Sequence, residues 1–138
     1  MRRTAPSGTV IGLDWDEEVI HEAEKKLAPF GERVKIFRQN FIHLSELLRE
    51  MKIEQVDGIL LDLGLSSYQL EKGERGFSFL KEGPMDMRMD QRLDQTATYL
   101  VNHLSVDELR DILYRYGEDR WAKRIARAIV RERERNSI

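Results

Sequence analysis

The chain reads as an α/β protein, an open parallel sheet of the doubly wound kind followed by a helical module. Two observations predict this. Short apolar segments alternate with amphipathic ones over the first 62 residues, and two of the apolar segments end at an aspartate. After residue 95 the texture becomes helical throughout, so we place domain boundaries at 1–95 and 96–138. At 138 residues, with 41% hydrophobic and 35% charged side chains, there is material for a core under a heavily solvated surface, which argues against fibrous or disordered classes.

The first element is Thr9–Asp14, β-branched and apolar until its terminal acid, and it suits a strand buried on both faces. A helix over 16–27 follows, with Val19, Ile20, Ala23 and Leu27 at helical spacing and Glu17 and Glu18 in the first turn, where the helix dipole favours anions. Pro29 and Gly31 end it. Residues 33–37 form a second strand, Leu44, Leu47, Leu48 and Met51 mark a second helix, and Val56–Leu61 gives a third strand ending at Asp62. The stretch 71–94 has no clean period and reads as a long functional loop. Beyond it, Ser105 to Glu108 offers a capping box, with Val106, Leu109, Ile112 and Leu113 on one apolar face. A last helix over 118–134 is expected to pack through Trp121, Ile125, Ala128 and Ile129.

Charge is uneven. The formal net charge is −2, which excludes a uniformly basic nucleic-acid coat, yet residues 119–138 hold seven basic side chains against three acidic ones. Arg120, Arg124, Arg127 and Arg131 recur at helical spacing as a stripe that could meet anions or be a solvated face. Without cysteine there is no disulfide, thiolate metal site or cysteine nucleophile. His21, His43 and His103 are scattered and predict no metal site. Ser66 and Ser67 lack the spacing of a hydrolase nucleophile. No apolar run approaches a membrane span, and Met1-Arg2-Arg3-Thr4 lacks the apolar stretch of an export signal, so the expectation is a cytoplasmic protein.

Ligands of such sheets lie beyond the carboxyl ends of the strands, where Asp14, Asn40-Phe41 and Asp62 fall. Asp14 is the type of carboxylate that accepts ribose hydroxyls of an adenosine cofactor, and equally the type that caps a helix. Phe41 could lie against an adenine or belong to the core. Asp62 leaves an apolar strand into Leu63-Gly64-Leu65-Ser66-Ser67, aimed at the crevice, with Ser66 capping a short helix as the plainer alternative. Glu74-Arg75-Gly76-Phe77-Ser78-Phe79 and Gly83-Pro84-Met85-Asp86-Met87-Arg88-Met89-Asp90 crowd aromatics, arginines and acids into one loop, able to stack a base and clamp phosphates or simply to anchor itself.

Together with Gly12-Leu13-Asp14-Trp15-Asp16, Asp57 to Ser67, Gln69-Leu70, Tyr116-Gly117-Glu118 and Ala122 to Val130, these motifs resemble, in order and through nearly the whole chain, the MraW/RsmH family. That family comprises bacterial methyltransferases of small-subunit ribosomal RNA. The resemblance implies a Rossmann-like (class I) methyltransferase sheet with part of a helical substrate-recognition domain, S-adenosylmethionine as cofactor, and a cytidine exocyclic amine as target. It implies that Asp14, Phe41, Asp62 and Gln69 line the cofactor site. The proline-rich tetrapeptide of many amino-methyltransferases is absent after Asp62, which leaves the catalytic group open; the chemistry asks for a carboxylate that accepts the amine N–H, and the candidates are Asp62, placed by its strand end, and Asp86, placed by the loop. Arg75, Phe77, Phe79 and Arg88, with the arginine stripe, are expected to hold RNA, either small-subunit ribosomal RNA or the assembled small subunit. Nothing before Thr9 matches the family's first strand and glycine-rich turn, so the chain is expected to be a fragment with unpaired central strand edges, open to dimerisation and weakly active at most. The rival expectation is a noncatalytic RNA-binding module that uses the aromatic loop and the arginine stripe.

Overall fold

The computed structural model describes Thr4 and residues 6–138, and the reading of Met1, Arg2 and Arg3 as no export signal lies outside these. The chain divides into two compact units, Met1–Leu65 with Met89–Gln91, and Ser66–Arg88 with Arg92–Ile138. The boundary expected at 95/96 therefore falls inside the second unit, because most of the long loop packs with the helices rather than with the sheet.

The first unit is built on a strand–helix–strand crossover between parallel strands. Strand β1 (Val10–Asp14) lies parallel to β2 (Val34–Arg38), registering Val10 with Val34 and Asp14 with Arg38. Between them runs α1 (Glu17–Leu27), started by Asp16, whose carboxylate accepts from the N–H groups of Glu18 at 3.0 Å and Val19 at 3.4 Å. Capping at a helix start satisfies donors that have no intrahelical partner. It also buries Asp16 to 1% exposure beside the buried Ile20 of the helix's inner face. A 3-10 turn (Ala28–Arg33) follows, with Gly31 at φ 54°, where the absence of a Cβ permits the left-handed bend into β2. After β2, Asn40 caps a short 3-10 turn (Phe41–His43) that leads into α2 (Leu44–Glu50), which buries Leu47.

Two expectations are corrected here. Val56–Leu61 joins no ladder: a strand needs a hydrogen-bonding neighbour, and none lies beside it among the described residues. Ile59 and Leu60 are 64% and 91% exposed. Likewise β1 is half-buried rather than covered on both faces, since a two-stranded ribbon offers too little surface to bury a strand on each side.

The second unit opens with α3 (Ser67–Glu71) and a 3-10 turn (Gly73–Arg75), and after the loop continues with α4 (Ala97–His103), α5 (Val106–Arg115) and α6 (Ala122–Arg133). The capping box expected at Ser105 is present: Ser105 Oγ accepts from Glu108 N–H, while the Glu108 carboxylate takes the Ser105 N–H at 2.8 Å. That carboxylate is held below its ordinary pKa, first by the Ser105 hydroxyl and then by the Ser105 backbone N–H. Helices α5 and α6 pack together, with Leu109 on α5 and Ala122 and Ala126 on α6 as their buried residues. Alanines four apart make a narrow shelf on which a neighbouring helix can lie close.

Helix α6 begins four residues later than its periodicity suggests. Gly117 and Glu118, the latter at φ 50°, form a turn, and a Cβ on Gly117 would collide with the Leu113 carbonyl. Trp121 consequently precedes the helix and is 55% exposed, and Ala128 is exposed as well, so neither belongs to the packing face. No helix among the described residues is long and apolar enough to cross a membrane.

Candidate functional site

Asp14 and Phe41 follow the carboxyl ends of adjacent parallel strands. Asp14 ends β1, and its Oδ1 accepts from the N–H of Asp16 at 2.9 Å, which fixes the carboxylate without using Oδ2. Asp16, not Asp14, is the helix cap, so the competing reading of Asp14 loses its main support. The Asp14 carbonyl accepts from Gln39 N–H at 2.8 Å, carrying the ladder one step past β2 towards Asn40 and Phe41. Phe41, three residues past the end of β2, is 47% exposed and leaves an apolar surface open to solvent. A carboxylate for vicinal hydroxyls and an aromatic face for a base make a donor set that fits the adenosine half of a nucleoside cofactor.

Asp62 lies in the same unit, exposed, within the stretch that joins no ladder. Gln69 belongs to the other unit, where its buried side chain completes a capping box: Oε1 accepts from Ser66 N–H at 2.9 Å and from Ser66 Oγ at 3.2 Å. The plainer alternative for this turn, Ser66 capping a short helix, is thus present in the structure.

The long loop is ordered by its own side chains and glycines. A Cβ on Gly76, which sits at φ 71°, would collide with the Pro84 carbonyl, and one on Gly83 would collide with the Gly73 carbonyl, so the two limbs touch backbone to backbone. Arg75 corrects an expectation. It is 2% exposed, donates through Nη2 to the Arg88 carbonyl at 2.9 Å, and its own carbonyl accepts from Met87 N–H at 3.0 Å. A guanidinium placed this way ties the limbs together and cannot reach a phosphate in solvent. Its carbon also lies 5.7 Å from the centre of the half-buried Phe77 ring.

Asp86 and Arg88 form a fork-to-fork pair, Nε to Oδ1 at 2.9 Å and Nη2 to Oδ2 at 2.7 Å, while Asp86 Oδ1 also takes the Arg88 backbone N–H at 3.0 Å. The Arg88 side chain, ahead of burial, which opposes it, holds the Asp86 carboxyl below its ordinary pKa. Arg88 Nη1 donates to the Leu93 carbonyl at 2.6 Å. Behind the pair, the Met85 and Asp86 carbonyls accept from Thr98 and Ala97 at the start of α4, at 2.8 and 2.7 Å. Both oxygens of Asp86 are thus engaged by Arg88. Phe79, by contrast, is 97% exposed.

Arg120, Arg124, Arg127 and Arg131 are all exposed, the last three on α6. Arg120 and Arg124 sit 5.7 and 5.9 Å from the Trp121 ring centre. Sequence reasoning missed two residues of the first unit. Arg38 closes β2 opposite Asp14, and the buried Asp90 pairs with it; only the basic residue at a strand end was legible, because its acidic partner is 52 residues away.

The model of the MraW methylase family matches residues 2–138 of the chain. Among curated proteins, the chain is 51% identical over 138 residues to the ribosomal RNA small subunit methyltransferase H of Geotalea uraniireducens (strain Rf4), covering 100% of this chain and 44% of that protein. It is 48% identical over 136 residues to the protein of the same name from Syntrophobacter fumaroxidans, covering 98% and 43%, and 45% identical over 138 residues to that of Symbiobacterium thermophilum, covering 100% and 43%. The chain thus spans less than half the length of these relatives.

Proposed function

The chain belongs to the MraW methylase family, and from that premise we propose that it carries part of the cofactor and RNA surfaces of an S-adenosylmethionine-dependent methyltransferase acting on a cytidine amine of small-subunit ribosomal RNA in the cytoplasm. The observation that carries this reading is the placement of Asp14 at the carboxyl end of β1, fixed through one oxygen, with Phe41 in the turn just past the carboxyl end of the parallel neighbour β2. On this reading Asp14 takes the ribose hydroxyls and Phe41 the adenine, in a partial Rossmann-like sheet that precedes a helical substrate-recognition region. The bound cofactor supplies an electrophilic methyl group.

Cytosine's exocyclic nitrogen is a poor nucleophile because its lone pair is delocalised into the ring. The protein's part is to orient that amine in line and to accept from its N–H as the nitrogen attacks. Of the two candidate carboxylates we assign this acceptor role to Asp62, since Asp86 is already bonded to Arg88 through both oxygens. Asp86 and Arg88 then shape the loop, and Gln69 closes the capped turn at Ser66 that precedes it. Phe79 and the exposed Arg120, Arg124, Arg127 and Arg131 are suited to stack on and neutralise RNA, alone or within the assembled subunit.

The test is calorimetric titration of S-adenosylmethionine into the chain and its Asp14→Ala variant, with circular dichroism to verify that both are folded. Saturable binding that the variant loses is the expected result. A folded wild-type chain that takes up no cofactor, yet binds RNA with salt-dependent affinity, would replace this reading with the noncatalytic RNA-binding one.

A further inference from the structure

A buried acid far along the chain holds the arginine that contacts the turn following Asp14. Asp90 belongs to the short return of the chain into the first unit, Met89–Gln91, and its side chain is 10% exposed. It accepts from Nη2 of Arg38 at 3.4 Å. The same guanidinium pairs through Nη1 with Glu17 at 2.7 Å and donates through Nε to the Trp15 carbonyl at 3.4 Å. Trp15 and Glu17 flank Asp16, whose N–H holds Asp14 Oδ1. Arg38 therefore touches the turn on both sides of the residue that orients the Asp14 carboxylate.

The geometry of a guanidinium gives Asp90 its leverage. Five donors sit in one rigid plane, so fixing one arm fixes where the others point. Glu17 is 68% exposed and, like other solvated partners, holds Arg38 only weakly. Asp90, at 3.4 Å against 2.7 Å for Glu17, is the buried partner, and its attraction is the less screened by solvent. We propose that Asp90 is a positioning residue for the cofactor turn, acting through Arg38 so that the docked end of the long loop sets the affinity of the Asp14 side of the site. This rests on the reading of Asp14 as the ribose ligand. Linkage makes the effect reciprocal: a ligand held by Asp14 in turn holds residues 89–91 in place.

The experiment uses the full 138-residue chain and S-adenosylhomocysteine as the probe. Calorimetry is run on the wild type, Asp90→Asn, Arg38→Ala, the double variant, and Asp57→Asn as a control acid exposed elsewhere in the same unit. Hydrogen exchange is followed at residues 15–17 and 89–91, with and without the probe. Asp90→Asn and Arg38→Ala are each expected to weaken binding by about fivefold, with the double variant no worse than Arg38→Ala alone and Asp57→Asn unchanged. The probe is expected to slow exchange at 89–91 in the wild type. Wild-type affinity in Asp90→Asn, additive losses in the double variant, or a fall in melting temperature with affinity unchanged would each overturn the proposal. A wild type that takes up no probe defeats the ribose reading of Asp14 and the cofactor half of this one. Exchange alone then decides the Arg38 link: faster exchange at 15–17 in Asp90→Asn upholds it, and unchanged exchange there removes it.

Discussion

Both oxygens of Asp86 accept from Arg88, and that pair gives the loop a pH dependence whose sign is fixed. Because Asp86 titrates below its ordinary value in the folded chain, the pair's contribution is complete above the usual carboxylate range. It is lost as pH falls through the lowered pKa. Arg88→Ala is therefore expected to destabilise the chain near neutral pH, with the difference from wild type shrinking under strongly acidic conditions. Urea denaturation across a pH series reads this directly, and a constant difference at all pH values would rule it out. Arg75 shows the limit of reading residues singly. An arginine among aromatics and glycines looks like a phosphate ligand, but its burial depends on Met87 and Arg88 folding back onto it, twelve and thirteen positions later.

Elements whose start is encoded within four residues were legible. The capping box at Ser105 and the helix it begins follow from side chains that satisfy backbone donors one turn away, and the structure has both. The beginning of α6 was not legible, because the helical spacing of Arg120 with Arg124 and of Trp121 with Ile125 extends the pattern ahead of Ala122, while the backbone turns at Gly117 and Glu118 before α6 packs against α5. The resulting packing makes Leu109, 4% exposed, the anchor of α5. Leu109→Ala should cost about 3 kcal/mol, as buried leucine truncations do. Thermal or urea unfolding monitored by helical circular dichroism checks this, and a loss within error of zero would mean that α5 does not depend on that side chain. In the same experiment Leu93→Ala, at a half-exposed loop position, should have a far smaller effect.

At the scale of the whole chain, the apolar run from Ile59 to Leu65 is the outstanding surface. Ile59, Leu60, Leu61 and Leu63 are each more than half exposed on a backbone that no strand pairs among the described residues. Unpaired edges and contiguous apolar patches favour association. The isolated chain is expected to self-associate as its concentration rises, and Leu60→Asp to suppress this, both measured by sedimentation velocity. Equal sedimentation of the two at all concentrations would show that the run does not mediate contact. The crossover of β1, α1 and β2, the capping box at Ser105, the helical second half, the family, and the placing of Asp14 at one strand end and Phe41 after another are legible in the sequence alone. Those features depend on residues close together in the chain, where periodicity and capping chemistry act. Folding alone settles that Val56–Leu61 joins no ladder among the described residues, that Arg75 is buried, and that Asp90 reaches Arg38. A ladder, a buried charge and an ion pair each require a partner brought near by folding, and local composition does not record which residue that partner is.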